Sequence, residues 1–162
     1  MMQRLMRRKQ EGFTLIEVLL VIAIIAILAA IVIIAINPAK QLRDARNTQR
    51  SSDVNTILNA ISQYSVDNNG TLAGPGTIPT IAGAQTCQAD GGTICATGSA
   101  SCTGLVDMSN LTANGKYIVS VPKDPQGGSA TSAGYNVAQD ANGRVTVCAP
   151  SAEGGSTISV TR

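Results

Sequence analysis

The chain has 162 residues, with twelve Lys and Arg against ten Asp and Glu, four Cys, sixteen Gly, a single Phe, and neither His nor Trp. That length allows one small domain plus an appendage, and the missing His removes the commonest acid–base group and metal ligand. The formal charge of +2 gives no argument for nucleic-acid binding, although it leaves a local basic groove open.

Residues 1–12 read as a short basic leader. Arg4, Arg7, Arg8 and Lys9 precede Gly12, opposed by Glu11. Removing the leader takes away four of the twelve basic side chains and one of the ten acidic ones, leaving 8 against 9. The chain from Phe13 onward is therefore nearly neutral.

Residues 13–36 form an apolar run, Phe13 to Ile36, of 24 residues that holds only Val, Leu, Ile and Ala after position 17. As a helix rising about 1.5 Å per residue, it is long enough to cross roughly 30 Å of hydrocarbon. The basic residues before it favour a cytoplasmic N-terminus. Glu17 is the exception within the run. A carboxylate in hydrocarbon costs roughly a few kcal/mol, so it is rare without a partner. Taken alone, it reads either as a protonated or snorkelling side chain or as a charge that awaits a cation. An ordinary secretory signal fits poorly, because its apolar middle is only roughly 7–15 residues long. Ala29-Ala30 mimics a small-residue cleavage site, but the chain stays apolar from Ile31. A plain uncleaved anchor is the other bland alternative.

Asn37-Pro38 ends the apolar run, and Pro38 is expected to bend the helix there. Residues 37–69 then suit an amphipathic helix. Val54, Ile57, Leu58, Ile61 and Tyr64 or Ser65 recur at i, i+3, i+4 and i+7, a stripe that should pack on the following domain. Upstream, Arg43, Arg46 and Arg50 recur with Asp44 and Asp53 nearby. They suggest a solvated face, or contact with neighbouring helices or lipid headgroups. Ala39 to Asp53 has few large apolar residues and is expected to stay out of a monomer's core. Asn68-Asn69-Gly70 is the helix stop.

Residues 70–162 differ sharply, with fifteen of the sixteen glycines. Thr71 to Cys102 reads as an irregular, disulfide-braced loop region. The four Cys are Cys87, Cys95, Cys102 and Cys148. An even number outside the cytoplasm suggests disulfides, and three pairings are possible. Their spacing lacks the close Cys-x2-Cys of zinc sites. Strands are predicted at Tyr117–Val121, Tyr135–Ala138 and Arg144–Cys148, with a short fourth at Thr157–Thr161. Val145 and Val147 should point to one face. The expected class is α+β, a small antiparallel sheet laid against the helix stripe. So thin a core should need that stripe, the disulfides, or both. Gly91-Gly92 lacks the Lys-Ser/Thr of a phosphate loop. Asp124, Asp140 and Asn142 offer oxygens without calcium-loop spacing, and Asp124 reads as a turn cap. No metal, cofactor or catalytic residue is expected, and the chain is not read as an enzyme.

Gly12-Phe13-Thr14-Leu15-Ile16-Glu17, with basic residues before it and an apolar helix after it, resembles the processing and assembly motif of type IV pilins and type II secretion pseudopilins. Pro122-Lys123-Asp124-Pro125, followed by a Gly-rich turn and a Tyr-bearing strand, is similar to a stretch of type II major pseudopilins, in which a nearby loop can bind calcium. The resemblance implies a pilin fold and cleavage by prepilin peptidase between Gly12 and Phe13, with methylation of the new Phe13 amine. It also implies pairing of Glu17 with the N-terminal amine of a neighbouring subunit. The chain would sit in membrane lipid as a single-pass protein with a cytoplasmic N-terminus. A membrane assembly platform would then build it into a helical homo-oligomer at the cell surface. Roles in a pilus, in secretion and in DNA uptake are all compatible with this family. A non-polymerising, membrane-anchored extracellular binding module is the alternative of another class.

Overall fold

The computed structural model describes residues 12–72, 76–81 and 87–162. The basic leader from Arg4 to Glu11 lies outside the described residues, as do parts of the predicted loop region. The chain divides into two compact units, Met1–Gln41 and Leu42–Arg162.

In the first unit, Thr14 is extended and its hydroxyl accepts the Glu17 N–H at 3.3 Å, capping helix α1, Leu15–Ile36. No residue of α1 is buried. Asn37 then takes a left-handed conformation (φ 45°) and ends the helix. Its side chain accepts the Lys40 N–H, and Gln41 Nε2 donates to the Ile36 carbonyl. Pro38 is the first residue of α2, Pro38–Asp67, where a missing N–H costs nothing. The interruption therefore falls at Asn37, and Pro38 opens the next helix.

In the second unit, the stripe of α2 packs on a four-stranded antiparallel sheet in the order β1-β2-β3-β4. The strands are β1 (Gly92–Cys95), β2 (Ser132–Gln139), β3 (Val145–Cys148) and β4 (Ser159–Thr161). Val54, Ile57, Leu58 and Ile61 of α2 are buried against Ala133, Tyr135, Val137, Val145 and Val147, with Tyr64 partly buried beside them. These sheet residues alternate, as one face of a pleat requires. The next side chains along, Ala138 and Cys148, face the other way and form a second small cluster with Cys87 and Ile81. Each large apolar side chain so buried contributes roughly 1.5–3 kcal/mol. A one-turn helix, α3 (Cys87–Asp90), belongs to that second layer. Asn136 donates to the carbonyls of Cys87 and Gln88 and accepts from the Thr93 hydroxyl.

The helix stop lies where Asn68-Asn69-Gly70 places it. Gly70 has φ +83°, and its N–H closes on the Ser65 carbonyl at 2.8 Å. Two expectations are corrected. Tyr117–Val121 is not a strand; it follows the one-turn α4 (Ser109–Thr112) and a 3-10 turn, Ala113–Gly115, as irregular chain. Its backbone bonds elsewhere: Ile118 N–H to the Leu111 carbonyl and Val121 N–H to the Thr97 hydroxyl. Conversely, β1 lies inside the stretch read as loop. It pairs with β2 through Gly92–Val137, Thr93–Asn136 and Cys95–Ser132.

The disulfides are Cys87–Cys148 and Cys95–Cys102, closing sequence separations of 61 and 7 residues. The first ties the second layer to β3. Loop-closure entropy gives the longer link about 4 kcal/mol and the shorter one under about 3 kcal/mol. The double substitution Cys87→Ser/Cys148→Ser is therefore expected to destabilise the head more than Cys95→Ser/Cys102→Ser. Urea unfolding followed by near-ultraviolet circular dichroism measures both. A larger loss from the short link would contradict this ranking.

Candidate functional site: the N-terminal segment and the clasp on α2

Gly12 and Phe13 are exposed, and a Cβ built on Gly12 meets nothing within 4 Å. Both residues flanking the Gly12–Phe13 bond are thus exposed, just ahead of the extended Thr14 cap. Phe13, Glu17, Val18, Val21 and Ile22 surround one shallow recess at the start of α1. Glu17 lies in the first helical turn, four residues after Phe13. The positive end of the helix dipole favours a carboxylate there. Among the described residues no cation pairs with it. Beyond Glu17, α1 is apolar all round, with mean hydropathy 3.6 over its most apolar window, and is long enough to cross a membrane.

A second polar constellation lies in the head and holds α2. Arg50 is fully buried. Its five N–H groups all have acceptors: Nε to Asp124 Oδ2 at 2.6 Å, Nη2 to Asp124 Oδ1 at 3.2 Å and Gln126 Oε1 at 3.1 Å, and Nη1 to Asn47 Oδ1 at 3.0 Å and Glu153 Oε2 at 3.1 Å. Complete satisfaction is what permits a buried guanidinium. Glu153 also accepts a two-pronged grip from Arg46, at 2.6 and 2.7 Å. The Asn47 side chain exchanges hydrogen bonds with the Glu153 backbone. One turn further along α2, buried Asp53 accepts the Tyr135 hydroxyl at 2.6 Å.

Local sequence explains the placement. Asp124 Oδ1 accepts the N–H groups of Gln126 and Gly127, so it caps its turn as expected. That turn presses on β2 at Gly134 (φ +82°), where a Cβ would stand 2.7 Å from Gly127 backbone and 2.8 Å from Asp124 Cβ. Burial would raise the Asp124 carboxyl, but the Arg50 guanidinium and the two turn N–H groups outweigh it and hold it below the usual range. Arg46, with help from Arg50, pulls Glu153 down to about 2. Burial, reinforced by Asp53, pushes the Tyr135 hydroxyl up.

Two further expectations are corrected here. Arg46 and Arg50 are internal ligands of Asp124 and Glu153, not a solvated or intersubunit face; Arg43 alone of the three arginines is exposed. The 39–53 segment also enters the core, through buried Arg50 and Asp53. The oxygens considered for calcium are engaged elsewhere: Asp124 with Arg50, and Asp140 with Arg144 and the Asn142 N–H. Among the described residues, no group of three His, Cys, Asp or Glu side chains is placed to hold a metal ion. Sequence reasoning missed Glu153. A lone carboxylate in Ala152-Glu153-Gly154-Gly155 carries no periodic signal.

The first unit thus presents an apolar helix long enough to cross a membrane, and the second a disulfide-linked α+β head. Residues 7–35 match the family model of the prokaryotic N-terminal methylation motif, the hallmark of type IV pilin and pseudopilin precursors. No curated protein and no solved structure matches the chain.

The clasp should fail in acid. Glu153 and Asp124 are depressed in the folded state, so their contribution is present above the ordinary carboxylate range. It is lost as pH falls, for Glu153 between roughly 4.5 and about 2. Asp124→Ala, which leaves Arg50 buried without its main counter-charge, is expected to cost about 3–5 kcal/mol and to flatten this acid dependence. Urea midpoints measured from pH 7 to 2 test both; an unchanged midpoint in the variant would exclude the clasp as a stabilising element.

Proposed function

We propose that the chain is a structural subunit of a type IV pilus-like filament, cleaved by prepilin peptidase after Gly12 and polymerised through α1. One observation carries this reading. The 22 residues of α1 are wholly exposed, and their single charged group, Glu17, lies one turn from the residue that would become the N-terminus. Methylation preserves the positive charge of the Phe13 amine. In hydrocarbon an amine and a carboxylate relieve each other by pairing, and pairing between two copies fixes their register. Cleavage and pairing thus make one mechanism: the peptidase creates the cation that Glu17 lacks.

Before assembly the helix sits in membrane lipid with its N-terminus inside, and an assembly platform extracts it into the growing homo-oligomer. The head needs no catalytic group for this role. A pseudopilin of a secretion or DNA-uptake system is the second reading, favoured by the Pro122–Pro125 turn whose Asp124 anchors the clasp. A membrane-anchored module that never polymerises would have the same anchor but no use for a pairing carboxylate.

Gly12→Leu is expected to leave the leader attached, and Glu17→Ala to permit cleavage and insertion but reduce sheared filament at least tenfold. Mass spectrometry of the N-terminus and the yield of pelleted surface material read the two steps separately. Normal filament from Glu17→Ala would refute the pairing; a cleaved chain that never pellets would favour the anchored module.

A further inference from the structure

The two disulfides differ in their surroundings. Cys87 and Cys148 are both fully buried, at the start of α3 and the end of β3. Cys95 is 3% exposed at the end of β1, and its backbone N–H bonds the Val106 carbonyl. Cys102 is half-exposed and sits in the turn beyond it, its carbonyl accepting the Leu105 N–H. A cavity of about 150 Å³ opens on this bond, with Thr97, Ser99, Asp107, Met108 and Val121 among its walls. It is smaller than the roughly 300 Å³ at which drug-sized sites begin, so it admits a small group only. Asp107 is the charged wall, and its carboxylate already accepts the Ser109 N–H.

We propose that Cys95–Cys102 is a thiol-exchange site for small neutral or cationic thiols, and that attack occurs at Cys102 Sγ. The incoming thiolate forms a new S–S bond to Cys102, the Cys95–Cys102 bond breaks, and its electron pair leaves on Cys95 Sγ, which takes a proton from water. A second thiol then releases Cys102, so that two thiols become one disulfide and the protein gains two thiol groups. Both cysteines line the cavity, but Cys95 is nearly buried and Cys102 half-exposed, so burial favours attack at Cys102. Cys95 stays on its strand near the Ser101 carbonyl, positioned to reclose the bond when the mixed disulfide is resolved. Asp107 repels anionic thiols from the cavity.

Purified full-length chain in detergent, treated with graded cysteamine, alkylated and peptide-mapped, tests the order of opening. Cys95 and Cys102 should label at a thiol concentration at least tenfold below that needed for Cys87 and Cys148; simultaneous or reversed opening would overturn the site. In Cys95→Ser, cystamine should add a mixed disulfide to Cys102, whereas in Cys102→Ser Cys95 should stay unmodified under the same treatment. Equal modification of the two would refute the direction of attack. Should either variant fail to fold, the native chain still decides the remaining point. At matched thiolate concentration cysteamine should outpace 2-mercaptoethanesulfonate severalfold, and equal rates would remove Asp107 from the site.

Discussion

Twenty-two helical residues from Leu15 to Ile36 carry no buried side chain, and each Leu or Ile among them forgoes roughly 1.5–3 kcal/mol of burial while it faces water. The stable surroundings of such a helix are hydrocarbon or other apolar helices. In a bilayer the lipid tails are as apolar as the helix itself, so helix association relies on close packing and on polar groups. Glu17 is the residue of α1 with most to gain from a neighbour. A helix without it would dissolve in the membrane equally well and would have no charge to distinguish one neighbouring register from another.

The head solves a separate problem, which is to hold its own part of α2 with a thin apolar core. From Val54 to Ile61 the helix is held by hydrophobic burial. Nearer its N-terminus the same stripe continues with Asp53, Arg50, Asn47 and Arg46, each engaging the head through hydrogen bonds or charge. A hydrophobic stripe tolerates small slips. A guanidinium with five donors in five fixed contacts does not, because a shift would leave buried donors unmet. The clasp is therefore better understood as setting register than as adding net stability over an apolar equivalent.

How much of this was legible depends on which signal each element leaves. The stripe of α2, the stop at Gly70 and the strands around Tyr135, Val145 and Val160 follow from periodicity and turn chemistry, and the structure has them in those places. The motif around Gly12 and Glu17 is a local string and was readable as such; its matched family covers residues 7–35. The clasp was not readable, because its members are separated by up to 107 positions and polar residues at helical spacing look the same whether they face water or a buried carboxylate. Tyr117–Val121 misled because β-branched residues favour strands, whereas here Tyr117 is taken up by Tyr64, Lys116 and Asp67. Its backbone groups are taken by Leu111 and Thr97 instead of a sheet neighbour. β1 was hidden by Gly91-Gly92 at its start and by its short length, and it is stabilised by partners on both sides, β2 and Val106.

Internal pairing also limits what the head offers to other copies. Of the eight cations beyond residue 12, Arg46, Arg50, Lys116 and Arg144 are bound to carboxylates of the same head. Charge steering between heads is weakened accordingly, and what remains on the surface is screened within about 8–10 Å at physiological salt. In the proposed filament, cohesion then rests on α1, where unburied apolar surface and the single carboxylate of the helix coincide.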